Sequence, residues 1–411
     1  MTVTITPARL AGAITPPPSK SQAHRVLIAA ALAAGESTLT NVAQSQDMEA
    51  TLRCLTELGA EYRRAGRTLY LTGLDAGAMS PLRRLALPRL DCGESGSTLR
   101  FLIPVALAVR GGGIFTGRGR LMERPQKPFF DLFAEKGIFY GQKEGVLTIR
   151  GLLSPGEYRL PGDVSSQFVT GLLCALPLLE GDSAIVLTTE LESRNYVDMT
   201  LEALAAFGVK AAWRDDRTLD VPGGQVYRAA EAAVEADWSQ AGFWYAARGL
   251  GNPVEVTGMD PRSTQGDRRI VPYEELLRGG GTVELDVSQC PDLVPALAVH
   301  AALRAGEITR IVNAGRLRIK ESDRLAAVRE ELNRLGARVT EGPDSLTIVG
   351  VETLSGGTAD SHNDHRIAMM AAVAATRCAA PVTLTGAESV RKSYPDFWED
   401  YARLGGKLAG V

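Results

Sequence analysis

Polar and apolar positions alternate along this chain in a recurring order. Six times, at intervals of roughly 70 residues, a short polar cluster gives way to an apolar run of helical length. The runs are SKSQAHRVLIAAALA (19–33), SGSTLRFLIPVALA (95–108), SSQFVTGLLCALPLL (165–179), WSQAGFWYAARGL (238–250), CPDLVPALAVHAAL (290–303) and NDHRIAMMAAVAA (363–375). After each comes a small-residue turn and then a β-like run: STLTNV, GGIFTG, DSAIVLTT, PVEVTGM, EITRIVNA and PVTLTGA. Most units add a second, amphipathic helix, such as DMEATLRCLTEL or DRLAAVREELNRL, and further strands such as SLTIVG (345–350). The pattern predicts six αβ units in two domains of three, with the break near residues 236–239. The N-terminal strand TVTITP precedes the first unit and is expected to pair with the later domain. The chain then crosses between domains twice, and the domains are residues 1–20 plus 237–411, and 21–236. No unit carries the glycine fingerprint of a dinucleotide-binding βαβ crossover, so a doubly wound fold is disfavoured.

Composition narrows the functional classes. With 45 basic and 48 acidic residues the net charge is -3, which gives no polyanion-binding surface, and nucleic acid is not expected as a partner. Any cationic chemistry must be local. The five cysteines (Cys54, Cys92, Cys174, Cys290, Cys378) are scattered, with no CxxC pair, which argues against a disulfide framework or zinc site and fits a reducing cytoplasm. The opening MTVTITPARLAG has no basic stretch followed by an apolar one, so no signal peptide is expected. The longest apolar runs, such as 26–34, are about half a membrane span. A soluble cytoplasmic protein without membrane partners is the expectation.

The helix starts are where charge gathers. Ser19, Ser21, Ser95, Ser97, Ser165, Ser166, Ser239, Asp292 and Asn363 lie at or near predicted N-termini, where unpaired N–H groups and the macrodipole attract anions. Taken singly, each is an ordinary cap. What changes their meaning is the basic residues beside them. Lys20 opposes the dipole of the first helix, which makes sense if an anion sits there. Arg25 follows it, and Arg100, Arg118, Arg120 and Arg124 follow the second polar cluster, where Gly96 lets a ligand approach the backbone. In RLRIKESDRL (316–325), Lys320 and Arg324 are expected to share a helix face with Glu321 beside them. Alone this is a solvated, salt-bridged helix start; a carboxylate among cations is also how a general acid or base is positioned. His365 and Arg366 begin another helix, Lys392 precedes a proline turn, and Asp292 is suited to hold or deprotonate a hydroxyl. GxxxxGK[ST], HExxH and GxSxG are absent, so ATP-dependent phosphoryl transfer, zinc hydrolysis and serine hydrolysis lose support. The set points to a Lys/Arg-lined cleft joining two preformed anionic substrates.

At these motifs the sequence resembles the EPSP synthase (3-phosphoshikimate 1-carboxyvinyltransferase) family over nearly its whole length. The motifs run in family order: SKSQAHR, GESGSTLR, ERPQKP, SSQFVTGLL, SRNYVD, PDLVPALA, KESDRL, NDHRIAM and KSYPDFW. The resemblance implies an α/β fold of two domains, each three βαβαββ units around a cleft that closes on substrates. The 1–20 plus 237–411 domain would carry the catalytic residues and much of the phosphoenolpyruvate site, and the 21–236 domain most of the shikimate 3-phosphate site. The implied shikimate 3-phosphate contacts are Lys20, Ser21, Arg25, Ser165, Ser166, Gln167, Ser193, Tyr196, Asp292 and Lys320. Those to phosphoenolpyruvate are Lys20, Gly96, Arg124, Gln167, Arg324, Arg366 and Lys392. Asp292 is the implied proton acceptor, Glu321 the proton donor, and Lys20 contacts both substrates. A monomer that needs no cofactor or metal is implied. The chain departs from the family where Glu94-Ser95-Gly96-Ser97 replaces the frequent Asn-Ala-Gly-Thr, and at Arg316, often Asn. Glu94 near an anion site requires a partner, such as a neighbouring arginine. The related carboxyvinyltransferase acting on UDP-N-acetylglucosamine fits less well: Ser21 follows Lys20 where that enzyme has Asn, and the 111–124 loop lacks its reactive cysteine. A non-catalytic anion-binding protein would not need the Asp292–Glu321 pair.

Overall fold

The computed structural model describes residues 1–74 and 87–411. The chain divides into two compact units, Met1–Pro17 with Ala236–Val411, and Pro18–Glu235. Pro18, Ser19 and Lys20 therefore fall in the second of these, not with the N-terminal strand as the 1–20 boundary had it.

Both units repeat one sheet plan. Among the described residues there are five four-stranded sheets and one two-stranded sheet. In each four-stranded sheet the first strand pairs parallel with the second, and the second and third, then third and fourth, pair antiparallel. The middle repeat of Pro18–Glu235 shows this in unbroken chain order. Arg89–Asp91 pairs parallel with Gly112–Thr116, which pairs antiparallel with Val146–Arg150, and that strand with Phe139–Lys143. The helices Gly96–Arg110 and Lys127–Glu135 connect them, giving βαβαββ. In the first repeat of this unit the parallel edge strand is borrowed from its far end, Glu231–Ala233 on Glu36–Thr40. In the last repeat of the other unit, Thr2–Thr6 takes an inner place, antiparallel to both Val382–Thr385 and Lys407–Ala409. The N-terminal strand thus pairs with the later part of the chain, as its sequence position required.

The helices following the polar clusters are buried nearly all round. Every residue of Val294–Ala301 and of His365–Ala375 is buried, as are most of Gly96–Arg110 and Lys20–Leu32. A helix apolar on all faces must be enclosed, and this explains why these segments read as continuous apolar runs without a polar stripe. Each unit has its own apolar core. The second helices, such as Gln46–Leu58 and Arg324–Arg334, keep a polar face. All five cysteines are free and buried. Among the described residues no helix is long and apolar enough to cross a membrane.

Two local readings change. The helix in RLRIKESDRL begins only at Arg324, capped by Asp323; Lys320 closes a 3-10 turn at Gly315–Ile319. Lys320 and Arg324 do not share a helix face. The caps at the fourth and sixth helix starts are Asp237 and Asp364, not Ser239 and Asn363.

Candidate active site

In Pro18–Glu235 the helix starts that follow the polar clusters are capped by serine. Ser19 accepts from the Gln22 amide, Ser95 from Thr98 and Ser165 from Gln167. A neutral cap leaves the positive end of the helix uncompensated, which suits an anion. Lys20, the first residue of its helix, donates to Asp47 at 3.0 Å, with both side chains largely buried. Ser21 follows, half-buried. Arg25, one turn on, is buried and donates to Thr200 and Thr170 hydroxyls and to the carbonyls of Ser21 and Tyr196 at 2.5–3.3 Å. Its guanidinium also lies over the Phe101 and Tyr196 rings, and burial brings its pKa down to about 10. Arg25 thus ties the Ser21 and Tyr196 carbonyls to the Thr170 and Thr200 hydroxyls. Ser193, just before the helix Arg194–Ala206, is buried in a left-handed conformation with φ 59°, and its carbonyl accepts from the Tyr196 amide.

Gly96 and Arg124 meet directly. A Cβ on Gly96 would stand 2.5 Å from Arg124 Nη1, so only a glycine leaves room for the guanidinium across the helix start. Arg124 is 8% exposed, and its Nε is buried with no hydrogen-bond partner. A buried guanidinium N–H without an acceptor is costly, and the arrangement suits an anionic ligand. Gln167 is held from both ends: its Oε1 accepts from Arg100 and its Nε2 donates to Ser97. Ser166, the first residue of that helix, is buried beside it. Arg118 and Arg120 are surface residues, reaching Asp91 and Glu123. The Glu94 carboxylate lies against Gly119, 2.7 Å from where a Cβ would stand.

In the other unit the charges interlock. Asp292, on a 3-10 turn ahead of Val294–Ala301, accepts from Arg324 at 2.8 Å and from Arg366 at 3.0 Å, with Lys320 at 3.5 Å. Burial pushes its carboxyl up, but Arg366, Lys320 and Arg324 together hold it well below the usual carboxylate range. Arg324, 1% exposed, donates from three nitrogens to Asp364 (2.7 Å), Asp292 and Glu321 (2.6 Å). Arg366 also donates to the Ser239 hydroxyl at 2.8 Å and contacts His365. Ser239 in turn donates to Asp237. Lys392 is buried, its ammonium 2.6 Å from the Asn363 carbonyl. The structure therefore gathers Asp292, Lys320, Glu321, Arg324 and Arg366, and places Lys392 beside the start of the Arg366 helix.

Three contributors escaped the sequence reading: Asp364, Asp237 and Asp47. Each was visible, Asp364 inside NDHR and Asp237 directly before WSQ. A cap that also receives an arginine from a distant segment has no local signature. Among the described residues one group has metal-ligand geometry, Glu330, Glu331 and His362 within 4.8 Å. Glu331 already accepts from His362, from the Asp360 amide and from Arg334, so this is an ion-pair cluster.

Comparison with known proteins identifies the family. The family model described as EPSP synthase (3-phosphoshikimate 1-carboxyvinyltransferase) matches residues 5–401. The 3-phosphoshikimate 1-carboxyvinyltransferase of Clostridium kluyveri is 46% identical over 426 residues, covering 99% of this chain and 98% of that one. That of Clostridioides difficile is 43% identical, covering 98% and 97%. The solved EPSP synthase of Acinetobacter baumannii superposes with a TM-score of 0.79 at 24% identity, over 99% of both chains, and shares the fold. The chain belongs to the EPSP synthase (3-phosphoshikimate 1-carboxyvinyltransferase) family.

Proposed function

We propose that this chain transfers the carboxyvinyl group of phosphoenolpyruvate to the 5-hydroxyl of shikimate 3-phosphate, releasing phosphate. It would do so as a cytoplasmic monomer in the route to aromatic amino acids. The observation that carries the reading is the Asp292 cluster: a carboxylate braced by Lys320, Arg324 and Arg366, with Glu321 on the same Arg324.

The chemistry follows from that bracing. Without substrate, Asp292 and Glu321 serve as counterions to the cations around them. The carboxylate and phosphate of phosphoenolpyruvate compete for Arg324, Arg366 and Lys392; Arg124, Gly96 and Gln167 are its further contacts. Once the arginines are shared with substrate, Asp292 loses part of what holds its proton affinity down and becomes a better base. It takes the proton of the attacking 5-hydroxyl while Glu321 delivers one to C3. The C–O bond forms at C2, giving a tetrahedral adduct that then expels phosphate and returns the C3 proton. Lys20 and the arginines stabilise charge on the departing phosphate. Shikimate 3-phosphate is held by Lys20, Ser21, Ser165, Ser166, Gln167, Ser193, Tyr196 and Lys320. Arg25 positions Ser21 and Tyr196 from beneath.

The test is phosphate release from phosphoenolpyruvate with shikimate 3-phosphate or UDP-N-acetylglucosamine as acceptor. Release with the first alone supports the reading; release with the second alone, or with neither, sinks it. Glu321→Gln and Asp292→Ala should each lose most turnover while circular dichroism shows a folded chain. Near-normal kcat in either removes the role given to that residue.

A further inference from the structure

Within the unit Met1–Pro17 with Ala236–Val411, a cavity of about 390 Å³ lies among helix C-termini. It is lined where Trp238–Gly249, Ile270–Arg278 and Val294–Ala301 end, and by Arg377, just past His365–Ala375. Three of these helices carry Ser239, Asp292 and Arg366 at or beside their opposite ends. The cavity is thus separate from the Asp292 cluster: His300 lies eight residues along from Asp292, roughly 12 Å of helix.

Helix C-termini are negative and would repel an anion. Here that potential is cancelled and then reversed. Arg304, 7% exposed, donates to the carbonyls of Leu277, Gly279 and Gly281 and to the Thr309 hydroxyl, and Arg377 donates to the Leu250 carbonyl. These acceptors absorb hydrogen bonds but no charge. Arg278 adds a third guanidinium, half-exposed and paired with Glu274, which Arg248 also holds. Glu307 is the acidic side chain on the lining. The wall therefore keeps an excess of positive charge.

His300 is the second observation. It is 4% exposed and lines the cavity, and among the described residues its ring makes no hydrogen bond. Gly249 makes room for it, since a Cβ there would fall 2.3 Å from the ring. Burial, aided by Arg304 and Arg278 against Glu274, brings its pKa down to about 4. A largely buried imidazole with hydrogen-bonding capacity left over, facing a cationic cavity, is open to a ligand there.

We propose that this cavity binds a small oxyanion, a phosphate or a dicarboxylate, between His300, Arg278 and Arg377. Arg304 and its carbonyl bonds hold the floor rigid, and the ligand accepts from the imidazole N–H and from the two exposed guanidinia.

The chain has four histidines, so the ring signal of His300 can be assigned by NMR through His300→Gln. The full chain is titrated with inorganic phosphate, with malonate, and with sodium chloride at matched ionic strength. A saturable movement of the His300 signal with phosphate, malonate or both, absent with chloride, is the expected result, and the anion that acts identifies the ligand class. In Arg278→Ala/Arg377→Ala the movement should require at least ~10-fold more anion, while phosphate-release turnover is unchanged. Glu274 retains Arg248 in that variant, so folding is expected; Arg377→Gln alone gives the same comparison should it fail. A His300 signal that ignores both anions, that follows chloride equally, or that moves equally in the arginine variants overturns the proposal. The last result would mean the signal reports anion bound at the Asp292 cluster.

Discussion

At the scale of single residues, the site is a problem in sharing charge. Lys320 shows how finely. Burial is the main reason its pKa falls to about 8, with Arg324 and Arg316 adding to the effect and Asp292 and Glu321 opposing it. An unfolded lysine holds its proton to about 10.4. Between about 8 and that value the unfolded chain binds more protons, so this group makes folding more favourable as pH rises. Function runs the other way. Above pH 8 the ammonium proposed to meet the shikimate phosphate is lost, so KM for shikimate 3-phosphate should climb about 10-fold between pH 7 and 9, with a smaller change in KM for phosphoenolpyruvate. Lys320→Arg keeps its charge and should flatten that rise; initial rates at several pH values decide it. Arg324 tests geometry instead of charge. Lysine there preserves the cation but cannot bridge Asp364, Asp292 and Glu321 at once. Arg324→Lys should lower kcat by about 100-fold with the Tm lowered only modestly.

At the scale of elements, glycines set how closely helices and ligands approach. Gly96 and Gly171 make a contrasting pair. A methyl group on Gly96 meets the far end of Arg124, a side chain that can move aside. Gly96→Ala should therefore fold normally and raise KM for phosphoenolpyruvate by roughly 10-fold, by displacing the guanidinium. A methyl group on Gly171 meets the Arg100 carbonyl at 2.5 Å, with the Pro104 ring at 3.2 Å, where helix Ser166–Ala175 crosses Gly96–Arg110. Pro104 has no N–H to give that carbonyl, and the two backbones sit too close for a side chain. Gly171→Ala should cost about 1–3 kcal/mol of stability, seen in denaturant unfolding. The reverse pattern, a destabilised Gly96→Ala and a normal Gly171→Ala, would show the two contacts misread. Sequence announced the first glycine because it sits in a polar cluster beside arginines. It was silent on the second, which lies inside an apolar run where only the crossing partner, 67 residues earlier, explains it.

At the scale of the whole molecule, the sequence displayed the repeat but not its closure. Six apolar runs following polar clusters were legible because enclosed helices need apolar residues on every face. The strands Glu231–Ala233 and Thr2–Thr6 complete sheets begun elsewhere in the chain, and that pairing is set by distant partners. The KESD turn reads as helix because Lys320 and Arg324 stand four residues apart; in the structure they converge instead on Asp292, a partner no local spacing reveals. What this division does for function follows from where the anion-holding groups fall. The serine-capped starts with Lys20, Ser165 and Ser193 belong to Pro18–Glu235, whereas the Asp-capped starts with Arg324 and Arg366 belong to the other unit, where carboxylates already satisfy the cations. Shikimate 3-phosphate alone meets uncompensated helix ends and should bind the first set unaided. In the proposed reaction phosphoenolpyruvate displaces internal carboxylates from Arg324 and Arg366, and gains most when a bound acceptor shares that cost. Amide hydrogen exchange on the intact chain tests this. Shikimate 3-phosphate alone should protect the first turns of Lys20–Leu32 and Ser166–Ala175. Protection at the starts of Arg324–Arg334 and His365–Ala375 should need the second anion as well. Phosphoenolpyruvate protecting those later helix starts fully by itself would mean that the carboxylates do not compete for the arginines, and that Asp292 does not depend on substrate to become a base.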